Sequence, residues 1–393
     1  MAMELPDARF RSSPNLELKR LSELPPEQRG AFRELEADHD FYGLLVPRRQ
    51  GSANIKSVGK QTAQLFRDLT QPRRLDPALL ADPDERRELI DLVLDGILEI
   101  EHDGIFVGGA EAFPLLCSTD SRGQTPPEDA VARLSVEALQ YAQELASTDP
   151  AALTRAVYFY NRLPLSNAWR ARFPSRAAML EHLGVTSGPL ASRMERHWNL
   201  VPEAHANGWL SWMSREQRPQ HAGAGMYKLY VSPRPERIRD AFEAVVRVLA
   251  EIPGASFKLG PTAAGILRPD KLVTYFDSRQ ALDAAADGLL RELAGCPPHG
   301  IPFTAGIGND GLLSWGVDPP ESERKLSWIG RESWRLWVAN RLGAALSTAK
   351  STRSAPAGGA TVMEPWRFAM ERVRRQGVDT VRWVPEESLW SAA

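Results

Sequence analysis

Between Met226 and Thr304 the apolar pattern switches back and forth between a period of two and a period of 3.6, which excludes an all-helical or all-strand fold there. MYKLYVS (226–232) is a β-branched and aromatic run that reads as a strand. Pro233 and Pro235 stop it and prepare a helix start, after which Ile238, Phe242, Val245, Val246 and Leu249 recur at helical spacing. Pro253-Gly254 turns the chain into a short strand, SFKLG (256–260), and KLVTYF (271–276) follows as another. Asp277 or Ser278 caps a second helix, whose buried side is Leu282, Leu289, Leu290 and Leu293. IPFTA (301–305) supplies a fourth strand. The order predicts an α+β fold with a split βαββαβ-type core and surrounding helices. Such a core hosts many functions and decides none.

Alternation along each strand fixes which side chains cooperate. Lys228 and Tyr230 share one face of MYKLYVS, and Tyr227, Leu229 and Val231 share the other. In SFKLG, Lys258 stands between Phe257 and Leu259, an unusual place for a residue that is almost never fully buried. An amine desolvated there, near other cations, gives up its proton more readily and serves as a base. The plain alternative is an edge-strand lysine reaching out to water. For Tyr230 the alternative is an ordinary core tyrosine. Arg268 and Lys271 bracket Pro269-Asp270 in a turn near the strand ends. Lys228, Lys258, Arg268 and Lys271 together imply an anion, and guanidinium forks suit phosphate oxygens. GRESWRLWVANRL (330–342) reads as a helix burying Trp334, Val338 and Leu342. Arg331 and Arg335 lie at its N-terminal end, where free backbone N–H groups and the helix dipole favour anions, unless both simply face solvent. GNDG (308–311) is a turn, either a hairpin connection or a substrate loop.

The chemistry that fits these groups is β-elimination of phosphate from a phosphorylated Ser or Thr side chain. It needs a base for the Cα proton, cations for the developing charge and an acid for the leaving oxygen. A neutral Lys258, an arginine cluster and a Tyr230 hydroxyl supply these without a metal or organic cofactor. His221, in QHAGAG, is a further candidate acid.

Composition narrows the partners. The 48 basic and 50 acidic residues nearly cancel, so wholesale attraction to nucleic acid or membrane is not expected and a basic site must be local. Two cysteines are too few for a disulfide framework or a four-ligand zinc site. The N-terminus lacks a signal-peptide apolar run and no 18-residue apolar stretch occurs, so a cytoplasmic location is expected.

The flanks divide the chain further. The first forty residues read as a loosely held arm with a short helix. Ser57–Leu69 and Pro83–Leu94 show helical spacing, and ILEIEHDGIFVGG (97–109) reads as a hairpin turning at Asp103-Gly104. Residues 1–125 are thus expected as a helical, winged-helix-like subdomain, which is either a plain structural unit or one whose hairpin edge offers a strand to an extended leader peptide. An α+β lyase domain is expected over 126–346, beginning with helices at Leu134–Leu145 and Ala151–Leu163. The stretch 158–175 interleaves aromatics and arginines, as nucleic-acid proteins do, although a helix packing its rings and solvating its arginines looks the same. Residues 347–393 read as a Ser/Ala/Gly/Pro linker (Ser347–Ala360) followed by a last helix and strand.

The phrases KLYVSPRP, ILRPDKLVTYF, IPFTAGIGNDGLLSWGVDPP and ESWRLWVANRL resemble the HopA type III effector family and its relatives in ribosomal peptide natural-product clusters, the lyases of class V lanthipeptide and thioamitide dehydration. The resemblance spans roughly Tyr158 to Leu346. It implies a kinase-like partner protein that phosphorylates a precursor peptide, and a lyase that converts the product to dehydroalanine or dehydrobutyrine. More distantly, the chain is similar to bacterial phosphothreonine lyases. Their Lys-x-His strand is similar to Lys228-Leu229-Tyr230, their catalytic lysine strand to Phe257-Lys258-Leu259, and their phosphate-binding arginine loosely to Arg268. Tyr230 stands where that family has its acid histidine, which leaves Lys228 and Tyr230 both open as the acid. The rival readings are a non-catalytic protein that holds a phosphorylated partner and a βαββαβ RNA-binding domain. The strands lack the dense aromatic pairs of the latter.

Overall fold

The computed structural model describes residues 7–48, 55–117, 129–201, 208–216, 226–320, 326, 332–352, 363–386 and 389. The fold is α+β. In the N-terminal part, strands β1 (Arg9–Ser12), β2 (Leu16–Lys19), β3 (Phe41–Pro47), β4 (Lys56–Gly59), β5 (Arg73–Arg74), β6 (Leu98–His102) and β7 (Ile105–Val107) form two small sheets. Their orders are β5-β1-β6-β7 and β2-β3-β4.

The expected loose arm is not what forms. β1 lies inside its sheet, and RFRS alternates so that Phe10 is fully buried. Arg9 and Arg11 face outward onto Glu101 at 3.2 Å and Glu99 at 2.6 Å. Four residues are too few for a period to stand out in a polar, proline-containing sequence. The helix expected over Ser57–Leu69 starts only at Lys60, because the preceding residues pair with β3. The helix Pro83–Leu94 forms as its spacing and its Asp82 cap require. Asp103 and Gly104 turn the β6–β7 hairpin with φ of 49° and 77°, the positive values a two-residue connection demands.

Helices Ala130–Glu144, Pro150–Tyr158, Trp334–Ser351 and Pro365–Arg375 pack with the N-terminal sheet into one apolar core. Phe10, Phe113, Trp337, Phe368 and Trp383 all belong to it, so the two ends of the chain share an interior. Ser347–Ser351 was expected as linker and is instead the last turn and a half of the long helix Trp334–Ser351. Ser347 is buried there and its hydroxyl donates to the Thr148 carbonyl at 2.6 Å.

The second unit is an antiparallel sheet of β8 (Trp198–Leu200), β9 (Leu210–Ser214), β10 (Tyr227–Val231), β11 (Ser256–Leu259), β12 (Leu272–Phe276), β13 (Ala305–Ile307) and β14 (Leu313–Val317). Its order is β13-β14-β10-β12-β11-β9-β8. Only Ala305 of the expected strand IPFTA joins it. Phe303 takes φ of 62°, outside strand geometry, and the Thr304 hydroxyl turns back to the Ile301 carbonyl. GNDG is the connection of the β13–β14 hairpin. The remaining short strands, β15 (Val378–Asp379) and β16 (Val384–Pro385), pair with each other.

Helices Ile238–Leu249 and Arg279–Glu292 cover one face of the large sheet. Leu229, Val231, Phe257, Leu259, Leu272 and Phe276 point into that layer. Strict alternation therefore commits Lys228, Tyr230, Lys258, Val273 and Tyr275 to the opposite face. The long helix approaches this face at Gly316, which pairs with Lys228. A Cβ on Gly316 would lie 2.7 Å from Cδ1 of Trp334. Gly316→Ala is therefore expected to destabilise the fold by about 1–3 kcal/mol, read as a lower urea midpoint. An unchanged midpoint would show that the helix is not held there.

Candidate active site

Cross-strand register assembles the site. Lys258 on β11 lies opposite Val273 on β12, and Val273 lies opposite Tyr230 on β10. In the next row Ser256, Tyr275 and Lys228 follow the same order. Lys258 and Tyr230 are thus two strand spacings apart, roughly 9–10 Å, with Val273 as the floor between them. Tyr158, Trp209, Arg268, Asp270, Ser333 and Arg335 complete the walls of a pocket of about 70 Å³, which suits a single polar group better than a drug-sized ligand.

Lys258 is the least committed cation of the pocket. Its Nζ sits 4.5 Å from the Trp209 ring centre and 5.5 Å from that of Tyr275, and it has no hydrogen-bond or ion-pair partner among the described residues. Burial, and then the charge of Lys228, lower its pKa to about 8, against the smaller opposing pull of Asp270 and Asp318. Lys228 is held differently. Its Nζ is 2.5 Å from Oδ2 of Asp318, and Oδ1 of Asp318 accepts the Trp334 backbone N–H at 3.0 Å. Asp318 therefore ties the β10 lysine to the N-terminus of the long helix.

Tyr230 is 3 % exposed, and burial followed by the negative charge of Asp318 pushes its pKa well above the ordinary phenol value. It stays protonated at neutral pH and can only give a proton. Burial raises Tyr275 and Tyr158 as well, with Asp318 and Asp270 adding to the first and Asp270 to the second.

Asp270 organises the arginines. Its carboxylate takes a two-point clamp from Arg268, Nε to Oδ1 and Nη2 to Oδ2, both 2.8 Å, and Nη1 of Arg335 at 3.0 Å. The Tyr158 hydroxyl lies 3.4 Å from Oδ2. Burial alone would raise this carboxyl, but the Arg268 hydrogen bonds and the charges of Arg335, Arg268 and Lys258 outweigh it and hold Asp270 well below the usual carboxylate range. Arg335 is 2 % exposed, which overturns the solvent-facing alternative. Its Nε and Nη2 donate to the carbonyls of Pro302 at 3.2 Å and Tyr158 at 2.8 Å. Arg268 also interacts with Tyr158, but its side chain keeps 22 % exposure against 2 % for Arg335, so it is the guanidinium better placed to meet an anion.

The structure thus brings Lys258, Tyr230, Lys228, Arg268 and Arg335 together. It does not bring Lys271 to them. That amine, fully buried, donates to the Pro233 carbonyl at 2.9 Å and to Nδ1 of His299 at 2.7 Å, and burial lowers it to about 7. Lys271 precedes β12, so strand parity does not govern its direction. His299 is lowered to about 3 by burial and the Lys271 charge, and as a neutral ring it donates from Nε2 to the Asn161 carbonyl at 2.6 Å. Arg331 and His221 lie outside the described residues.

Tyr158, Trp209, Asp270 and Tyr275, which line the pocket, and Asp318, which holds Lys228 from behind it, were not singled out from sequence. Tyr275 was legible, since it shares parity with Val273 on a recognised strand. Asp270 stood in view as a turn residue between two cations. Trp209 and Asp318 carry no local signal, because only sheet register and the approach of the long helix place them.

No protein-family model matches the sequence, and none of the curated proteins does. Among solved structures, the chain is similar to the effector protein from Pseudomonas syringae pv. tomato strain DC3000, at 10 % identity and a TM-score of 0.43, covering 67 % of this chain and 100 % of that one. The effector protein from Pseudomonas syringae pv. syringae strain 61 aligns at 16 % identity and a TM-score of 0.37, covering 65 % and 98 %. The type III effector/phosphothreonine lyase OspF from Shigella flexneri aligns at 12 % identity and a TM-score of 0.28, covering 42 % and 96 %.

Proposed function

We propose that this chain is a carbon–oxygen lyase that eliminates phosphate from phosphoserine or phosphothreonine in a ribosomal precursor peptide. The observation that carries the reading is Lys258, a largely buried amine of lowered pKa without a hydrogen-bond partner among the described residues. It shares its pocket with an arginine cluster and a buried phenol. Neutral Nζ of Lys258 takes the Cα proton, the electron pair forms the Cα=Cβ bond, and the Cβ–Oγ bond breaks. Tyr230 faces Lys258 across Val273 and gives its proton to the departing phosphate oxygen. Lys228, kept in place by Asp318, stabilises the charge that develops on the substrate carbonyl. Arg268 receives the phosphate, with Arg335 behind it. These steps need no metal or organic cofactor.

The sequence resemblance supports the precursor peptide as substrate and a kinase-like protein as the partner that phosphorylates it, in the cytoplasm. β7 is an edge strand of its sheet, and an extended leader segment pairs there in this reading. The test is incubation of the full chain with phosphoserine and phosphothreonine peptides, followed by mass spectrometry. The expected product is lighter by one phosphoric acid and reacts with added thiol. A peptide that is bound but returned intact would instead make the protein a phosphopeptide-binding module.

A further inference from the structure

Resting on the lyase reading, we propose that Trp209 is a positioning residue: it keeps water from the Lys258 amine and holds that amine beside Arg268, and so sets the pH at which the base becomes available. Trp209 immediately precedes β9, and Ser211 on β9 pairs with Lys258 on β11. Ser211 shares the face that carries Lys258, and Trp209, one residue before the strand, is placed there by its own contacts as part of the pocket wall. The indole thus meets two cations at once, Nζ of Lys258 at 4.5 Å and the Arg268 guanidinium at 4.8 Å from the ring centre. Tyr275 at 5.5 Å from Nζ and Phe159 at 5.6 Å from the guanidinium add aromatic surface to the same two groups.

The ring acts on Lys258 in two opposed ways. Its electron-rich face attracts an ammonium and favours the proton. Its bulk excludes water and disfavours the charge, and for a buried amine that effect is the larger. The other charged and titratable groups facing Lys258 come from elsewhere: Lys228 and Tyr230 from β10, Tyr275 from β12, and Arg268 and Asp270 from the turn before it. Asp318 follows β14, Arg335 stands on the long helix and Tyr158 ends the helix Pro150–Tyr158. All of them remain when the indole is removed, so a change at Trp209 alters solvent access and ring attraction while leaving the charges in place. Trp209 is half-buried and lies outside the apolar clusters that hold the sheet and helices together.

The test compares Trp209→Ala, Trp209→Leu and Trp209→Phe. Lys258 is titrated by carbon NMR of the reductively methylated protein, its signal assigned by its loss in Lys258→Ala, and phosphopeptide elimination is followed over the same pH range. Trp209→Ala admits water, and the midpoint is expected to rise from about 8 toward the ordinary 10.5. A rise of about one pH unit lowers the neutral amine about tenfold at a fixed pH below the midpoint. Trp209→Leu keeps hydrocarbon over the amine without a π face, so its midpoint stays at or below that of the wild type, and Trp209→Phe stays near it. The rate profile is expected to move with the midpoint. An unmoved midpoint in Trp209→Ala, or an equal rise in Ala and Leu, would overturn the inference even if turnover fell. A wild-type protein that titrates as described but eliminates nothing would defeat the lyase reading and leave the role of Trp209 readable from the NMR alone.

Discussion

Lys258→Ala is expected to lower phosphopeptide elimination by about 10³-fold, within the range for loss of a positioned proton acceptor, while leaving the thermal midpoint near that of the wild type. The separation of the two effects follows from geometry. Lys258 touches the rings of Trp209 and Tyr275 and makes no hydrogen bond or ion pair to a described residue, so its removal orphans no buried partner. It does remove from the pocket an amine whose pKa is lowered toward neutrality. The same reasoning fixes the sign of the pH dependence. A base works when unprotonated, and burial with the Lys228 charge lowers Lys258 to about 8, so the rate climbs as pH rises toward 8 and levels above it. An unshifted lysine would keep the rate climbing past pH 10. Steady-state rates between pH 6 and 10 check this, and normal turnover by Lys258→Ala would remove the amine from the mechanism.

The pairing of Lys258 with Tyr230 was legible in sequence because a strand period of two is unforgiving. Once MYKLYVS and SFKLG are strands whose Leu229 and Phe257 face a helical layer, Lys228, Tyr230 and Lys258 have no other side to occupy. Lys271 misled for the converse reason. It sits one residue before its strand, where no parity holds, and a buried acceptor pair captured it. Charge arithmetic misled in a related way. Basic residues alone were counted toward the anion site, yet two buried carboxylates, Asp270 and Asp318, neutralise part of that charge and decide where each cation points. Their partners come from segments far apart in sequence, so no local pattern could announce them. The N-terminal arm was missed because its strand is only four residues long and its partners, β5 and β6, lie some sixty and ninety positions away.

Asp270→Asn is expected to destabilise the protein by about 3–5 kcal/mol at neutral pH and to disable the pocket with it. The carboxylate is buried and holds two guanidinium groups, one of them Arg335, itself inaccessible. An amide of the same shape keeps the packing but leaves both charges without a counter-ion, and a buried charge stripped of its partner costs far more than the intact pair contributes. The acid side of the stability profile follows by linkage. Asp270 is depressed in the folded state, so its contribution is complete above the ordinary carboxylate pKa and is lost as pH falls below that value toward the folded one. The wild type therefore loses stability on acidification from about pH 5 downward, and Asp270→Asn loses less over the same interval. Urea midpoints at pH 7 and pH 3 measure both effects. Adding Arg335→Met to Asp270→Asn removes one of the stranded cations and is expected to recover part of the loss. A double variant no more stable than the single one would mean that Arg335 relies on its Pro302 and Tyr158 carbonyl bonds and not on this carboxylate.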